Sequence, residues 1–495
     1  MRIVKDPQMQ LGEVDISQIK FDPKSRDEMP QVLRGLQYIY TNLELRTQVF
    51  DILEKHIYAD KKNITGRPGM DLWKILVLGV VRLNLNWNYD RLQNEANHHA
   101  QIRAMLGHSD DFEKPEYKLQ TLKDNVSLLT PELLDEINVL VVHAGHKLVK
   151  KKDDEPLRAR CDSFVLETNV HYPTDINLLF DAMRKMIQLT ARHCAKQRLS
   201  DLRQSKHAMG QLKNLMRSAQ VKKRSCSKNE ATTLKLQSAV IQAHQAYIDM
   251  ASVYVEKTTL ALAKLKILGV VDPTIEEFMV HAKRQMDQIE RRVMKREVIP
   301  HEEKVFSLFE PHTEWIMKGK AGVSVELGLK VCVLEDQHQF ILMTRIMENE
   351  TDDQAAVPMV EKAQHHFPNL NSVSYDKGFH SKKNQEILSE KLDFLVMPRK
   401  GKLSEAAKEI EHAPEFIKAR HQHSGVESAI NALECHGLDV CPDKGLDAFK
   451  RYVSLAAMAR NLQRIGAILS MQVCKKEKRA HEKFMRQKEL FRCVA

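Results

Sequence analysis

The stretch L-R-A-R-C-D-S-F-V-L-E-T-N-V-H, residues 157–171, mixes β-branched, aromatic and polar residues as a strand does. It follows a long run of helical pattern. Pro173-Thr174-Asp175 stops it, and Asp175 is expected to cap a helix starting near Ile176. From there to about Val298 the pattern is helical. The clearest piece has Asp272 as N-cap and Pro273 at the first helical position. Apolar residues then fall at 275, 279, 282, 286, 289 and 293, the narrow seam of a helix packed on another helix. The preceding 231–267 helix is its expected intramolecular partner, ahead of an intermolecular zipper. Strand texture returns after Lys320: 323–334 and 340–346 read as a hairpin, 372–375 as a short strand ending in Asp376, and 394–397 as a strand closed by Pro398. Helices are expected at 354–366, at 382–391 and from Ser404 onward, with 451–472 as a long closing helix. Two β-containing stretches are thus split by a helical block of roughly residues 176–311, too long for a structureless loop and right for an inserted domain. The fold class is mixed α and β.

Before residue 157 the chain reads as an extended arm (1–30, with Pro7, Pro23 and Pro30) and then helices. These are expected at 31–57, from Asp71 after the breaker Gly66-Arg67-Pro68-Gly69, at 89–98, at 100–106 and at 131–149. Short helices joined by polar turns fit a helix-turn-helix and fit any small bundle equally well. The 495 residues suggest about three domains at roughly 150 residues each. Hydrophobic residues at 43% and charged residues at 29% are the profile of a well-cored globular protein, which excludes a disordered or collagenous chain. The apolar run Ile75–Val81 is far short of the ~20 residues a bilayer crossing needs. The sequence M-R-I-V-K-D-P-Q-M-Q has no apolar segment of the signal-peptide kind, so a cytoplasmic protein is expected. Eight scattered cysteines without a C-x-x-C pair read as free thiols, and Cys435, His436 and Cys441 as packing residues rather than zinc ligands.

Net charge is +10, but its location matters more. Residues 184–230 hold thirteen Lys and Arg, among them Arg217, Lys222, Lys223 and Arg224, against only Asp201 and Glu230. A helix face solvated by charge normally alternates acids with lysines. Here the acids are missing, which favours a polyanion partner such as nucleic acid. The 475–492 tract is basic too but carries Glu477, Glu482 and Glu489.

No P-loop, dinucleotide glycine fingerprint, G-x-S-x-G or H-E-x-x-H is present. Carboxylates remain. Asp162 lies inside the 157–171 strand, where a charge is costly without a purpose. Asp376 sits just past a strand end, before Lys377-Gly378-Phe379-His380. Glu427 opens a helix after His421, His423 and Gly425. Singly, each has an ordinary structural explanation: a bond to a backbone amide, a turn cap, or a favourable charge at a helix N-terminus. Together, two aspartates from strands and a glutamate from a helix make a place for two divalent cations about 4 Å apart, the arrangement of phosphodiester chemistry.

C-D-S-F-V-L-E-T-N-V-H-Y-P-T-D (161–175), S-Y-D-K-G-F-H-S (374–381) and H-S-G-V-E-S-A-I-N (423–431) resemble the three acidic signatures of DDE transposases, most nearly bacterial insertion-sequence enzymes of the ISNCY type. D-N-V-S-L-L-T-P-E-L-L (124–134) and H-T-E-W-I-M-K-G-K-A (312–321) are similar to their usual surroundings in that group. The resemblance implies a helical N-terminal DNA-binding domain over 1–150, an RNase H-like catalytic domain from 151–175 and 312–470, a helical basic insertion over 176–311, and a basic tail over 471–495. It further implies Asp162, Asp376 and Glu427 as the triad holding two Mg²⁺ (or Mn²⁺) ions. The implied reaction is 3′-end cleavage of the element, then attack by the freed 3′-OH on target DNA. Partners implied are double-stranded DNA, as terminal inverted repeats and target, and a second protomer, in the bacterial cytoplasm at the nucleoid. Lys377, His380, Arg399 and Lys400 are candidate phosphate contacts. No tyrosine–arginine pair precedes Glu427, and Glu434, not a lysine, stands seven residues on; Glu434 is the reserve third acid. A metal-dependent nuclease without strand transfer, and an inactive DNA-binding protein, stay open as alternatives.

Overall fold

A computed structural model describes residues 4–5, 12–58, 69–109, 116–149, 155–225, 229–317 and 324–494, with the side chains of 230, 231, 406 and 487–494 outside that description. Pro7, most of the 66–69 breaker, Cys226, Lys228 and the end of the 312–321 motif lie outside the described residues. The chain divides into two compact units, 1–169 with 316–495, and 170–315.

The first unit is organised by a seven-stranded mixed sheet: β1 (Leu157–Thr168), β2 (Glu314–Met317), β3 (Val325–Asp336), β4 (Ile341–Met347), β5 (Leu370–Tyr375), β6 (Phe394–Val396) and β7 (Val440–Cys441). The order is β2-β3-β1-β5-β6, with β4 also on β3 and β7 also on β1. β1 is antiparallel to β3, with Asp162 opposite Val333, and parallel to β5, with Cys161 opposite Tyr375. β3 and β4 form the expected hairpin. β7 rejoins β1 only at Glu167 and Thr168. Leu157, Ala159 and Cys161 alternate into the core, so Arg160 and Asp162 face the other way. Helix Asp352–His366 covers the first face, where Tyr375 donates its hydroxyl to Ala356 O. Helices Pro414–His423 and Gly425–Leu433 cover the second: the Arg160 guanidinium there reaches Gln422 O.

The long helix Leu446–Val494 supplies the spine of the core. Its Phe449, Val453, Leu455, Met458, Leu462 and Ile465 are buried. It packs on helices Glu28–Thr41, Leu72–Asn84 and Pro131–Val149 and on β4. The crossing with Glu28–Thr41 is tight enough to require glycine: a Cβ on Gly466 would lie 1.8 Å from Gln31 O, and one on Gly35 2.1 Å from Leu462 O. The N-terminal helices and the sheet therefore share one hydrophobic core, and residue 150 is not a boundary between separate bodies. Residues 471–494, read as a tail, continue the helix instead.

Local chemistry explains smaller departures. The 31–57 helix is two, Glu28–Thr41 and Leu43–Tyr58, because Asn42 turns out of the first and its Oδ1 accepts from Leu45 N–H at 3.2 Å to begin the second. The arm is anchored in part: Asp15 caps a short 3-10 turn whose Ile16 is fully buried. Asp71 precedes its helix without capping it, since its carboxylate pairs with Lys74 at 2.8 Å.

The second unit is helical: Asp175–Lys196, Ser205–Arg224, Glu230–Ile267 and Pro273–Ile289. Thr174, not Asp175, is the first cap, its hydroxyl accepting from Asn177 N–H; Asp175 pairs with Arg292 at 3.0 Å. Asp272 caps as expected, accepting from Thr274 N–H at 3.1 Å. Ile275, Ala282 and Ile289 are buried along the seam, with Met279 and Met286 packed beside them. Their main partner is Asp175–Lys196 rather than the preceding helix. Leu179, Met183, Met186 and Ile187 give 175–196 a continuous apolar stripe, whereas Leu234, Val253, Leu260 and Ile267 of the 230–267 helix stay exposed. No described helix is long and apolar enough to cross a membrane.

Candidate active site

β1 and β5 run parallel in register to Cys161 and Tyr375 and part there. Neighbouring strands lie about 4.8 Å apart, so the next residues, Asp162 and Asp376, sit side by side where the sheet opens at the carboxyl end of β5. From Asp162 to Leu166 that edge of β1 is free of β5, until β7 takes its place at Glu167. By strand alternation Asp162 shares a face with Arg160, and Asp376 follows Ser374 on the same face.

Helices Pro414–His423 and Gly425–Leu433 lie over this face. His423 Nδ1 and Ser374 Oγ are 3.0 Å apart, Arg160 Nη1 donates to Gln422 O at 3.3 Å, and Glu427 stands in the first turn of the second helix with its N–H on Ser424 O. Glu427 and Asp376 are exposed and Asp162 is half-buried.

Electrostatics bring the three acids together. The Asp162 carboxyl is pushed up to about 6, first by burial and then by the carboxylates of Asp376, Asp352 and Glu427, against the opposing 2.7 Å hydrogen bond from Ser163 N–H. Acids remote in sequence thus act together on Asp162, and Glu427, not the reserve candidate Glu434, is among them. Burial, aided by Arg160, holds the His423 imidazole below its ordinary value, against the pull of Asp376 and Glu427.

Asp352 is a fourth acid that the sequence reading missed. It opens helix Asp352–His366 on the opposite face, accepting from Ser163 Oγ at 2.6 Å and Lys330 Nζ at 3.0 Å. A Cβ on Gly378 would meet its Oδ2 at 3.2 Å, so it also abuts the turn after Asp376. The signal was the capping box at Thr351, where Gln354 Oε1 accepts from Thr351 N–H at 2.9 Å. That box starts the helix two residues before the expected Gln354.

The candidate phosphate contacts scatter. Lys377 is exposed beside Asp376. Lys400 Nζ is spent on Gly378 O at 2.9 Å, steadying the turn. His380 Nε2 is buried without a hydrogen-bond partner among the described residues. Arg399 lines a cavity of about 390 Å³ at the β6 edge with Phe394, Glu411 and Phe416. Arg217, Lys222, Lys223 and Arg224 are exposed on helix Ser205–Arg224, which belongs to the second unit.

The donor chemistry, hard carboxylate oxygens with an uncompensated charge at Asp162, fits a divalent cation that keeps waters and takes phosphate oxygens. Among the described residues no three His, Cys, Asp or Glu side chains are gathered into a ready-made cage. Cys435, His436 and Cys441 form no such cage either; Cys441 and His436 are buried, and His436 Nδ1 bonds Asn84 O. Comparison of the chain with family models, with curated proteins and with solved structures finds no match.

Proposed function

We propose that this chain is a DDE transposase with an RNase H-like core, cutting DNA at the ends of a mobile element and joining the freed 3′-OH to target DNA. The observation that carries the reading is the shared field at Asp162: Asp376 and Glu427 act on it from the neighbouring strand end and the covering helix. The mixed sheet, with β1 between an antiparallel and a parallel neighbour, supports the RNase H-like part.

Asp162, Asp376 and Glu427 are the residues that would hold the divalent ions, and Asp162 is the one on which both of the others act. Bound there, two such ions supply charge stabilisation to the attacking and leaving oxygens of a phosphodiester. The protein's own part is placement. β1 and β5 fix two carboxylates on a rigid sheet, and the Ser163 N–H fixes the rotamer of the first. His423 and exposed Lys377 flank the acids as groups that can meet a phosphate oxygen. The exposed cations of the Ser205–Arg224 helix grip duplex backbone, in a homodimer that holds two element ends.

The test is cleavage of DNA carrying the sequences that flank the gene. Asp162→Asn is expected to lower Mg²⁺-dependent cutting by about a hundred- to a thousandfold while leaving DNA binding intact. Cutting without joining to a target plasmid would make the chain a nuclease of the same chemistry. Absence of any cutting by the wild type refutes the enzyme.

A further inference from the structure

We propose that Arg160 is the positioning residue that sets Glu427 against β1, and that residue 425 is glycine because the Arg160 guanidinium fills the space its side chain would need. This rests on the reading of Asp162, Asp376 and Glu427 as the cation-holding acids.

Arg160 stands two residues before Asp162 on the same face of β1. Its guanidinium serves three groups at once. Nη1 donates to Gln422 O at 3.3 Å, Nη2 donates to Asp336 O at 3.3 Å, and Nη2 pairs with Glu335 Oε2 at 3.1 Å. Glu335 is its direct cross-strand neighbour in the β1–β3 register. The pair is enclosed, at 19% and 6% side-chain exposure, so the guanidinium is locked rather than free to swing aside. Gln422 is next to last in helix Pro414–His423, and its carbonyl takes the Arg160 donor alongside the N–H of Ser424. A cation there favours the negative end of the helix dipole. The following helix starts at Gly425, and Glu427 is its third residue. A Cβ on Gly425 would lie 1.7 Å from Arg160 Nη1 and 2.8 Å from Cζ. The junction between the two helices is thus seated on the guanidinium plane, and Glu427 takes its position from that seat.

Lysine cannot do this. One ammonium on a flexible stem lacks the planar fork that spans β3 and the helix end together.

The experiment is Mn²⁺ titration of the full-length, DNA-free protein followed by electron paramagnetic resonance, with folding checked by circular dichroism. Asp162→Asn is expected to abolish binding and Glu427→Gln to remove one ion. Arg160→Lys and Gly425→Ala are expected to weaken that same ion about tenfold, the usual scale for groups that orient ligands, and to spare the other. A urea-unfolding cycle supplies an independent readout: the cost of Gly425→Ala is expected to shrink in an Arg160→Ala background, because the methyl then has room. If the wild type binds no Mn²⁺, or Asp162→Asn binds as well as wild type, the parent reading fails. If the wild type binds and Gly425→Ala binds equally well, or its urea cost is the same with and without the arginine, the role of Arg160 is overturned.

Discussion

Replacing Asp162 by asparagine should make the cation-free protein more stable at neutral pH. The fold holds this carboxyl at about 6 against an ordinary value near 3.8, chiefly through burial and secondarily through Asp376, Asp352 and Glu427. A raised acid binds its proton more readily folded than unfolded, so its charge penalises the folded state. That penalty is absent below about pH 4, grows as pH rises through 6, and is full above it. At about 1.4 kcal/mol per unit, the shift amounts to about 3 kcal/mol at pH 7.5. Asparagine removes the charge and keeps an oxygen to accept the Ser163 N–H. Thermal melts in EDTA are therefore expected to place Asp162→Asn several degrees above wild type at pH 7.5, the gap closing toward pH 4. Added Mg²⁺ should raise the wild type alone, because it binds only the folded, charged site. A variant less stable than wild type at pH 7.5, or a gap that ignores pH, would show that Asp162 makes a favourable structural bond, and the argument from a shared repulsive field would be refuted.

Three further outcomes are expected. Asp352→Asn removes one of the charges acting on Asp162, so the pH at which wild-type stability is lost should move down from about 6 in the same melts, and cleavage should fall about tenfold as Lys330 loses its anionic partner. Gly466→Ala drives a methyl into Gln31 O and should cost about 3 kcal/mol or more in urea unfolding; a neutral result would mean the helix crossing is looser than described. The triple change Lys222→Ala, Lys223→Ala, Arg224→Ala should weaken DNA binding and reduce the slope of log affinity against log salt by up to about 2.7 in fluorescence anisotropy, whereas an unchanged slope would take that helix out of the interface.

The parts legible in the sequence are those set by local pattern. β1 announces itself by its composition, the hairpin by its polar turn, and helix Lys382–Lys391 falls where its periodicity puts it. Asp376 was readable because a strand ends just before it. What escaped depends on distant partners. β7 is two residues long and has no period; it exists because β1 offers an edge beyond β5. The seam at 275–289 was visible, but its partner depended on which of two helices had the better apolar stripe, and neighbourhood in sequence pointed to the wrong one. Asp352 was hidden behind a cap. Arg160 carries no local mark of its role, which depends on the missing Cβ of Gly425, far along the chain.

The spine helix carries a consequence for biosynthesis. Its buried residues, from Phe449 to Ile468, are translated after every element they cover. Domains generally begin to fold from the N-terminal side as the ribosome works. Here the helices around residues 28–41, 72–84 and 131–149 must wait, with their apolar faces open to chaperones, for a segment more than three hundred residues downstream. A message broken before that point yields a chain whose half-built interior has nothing to close on.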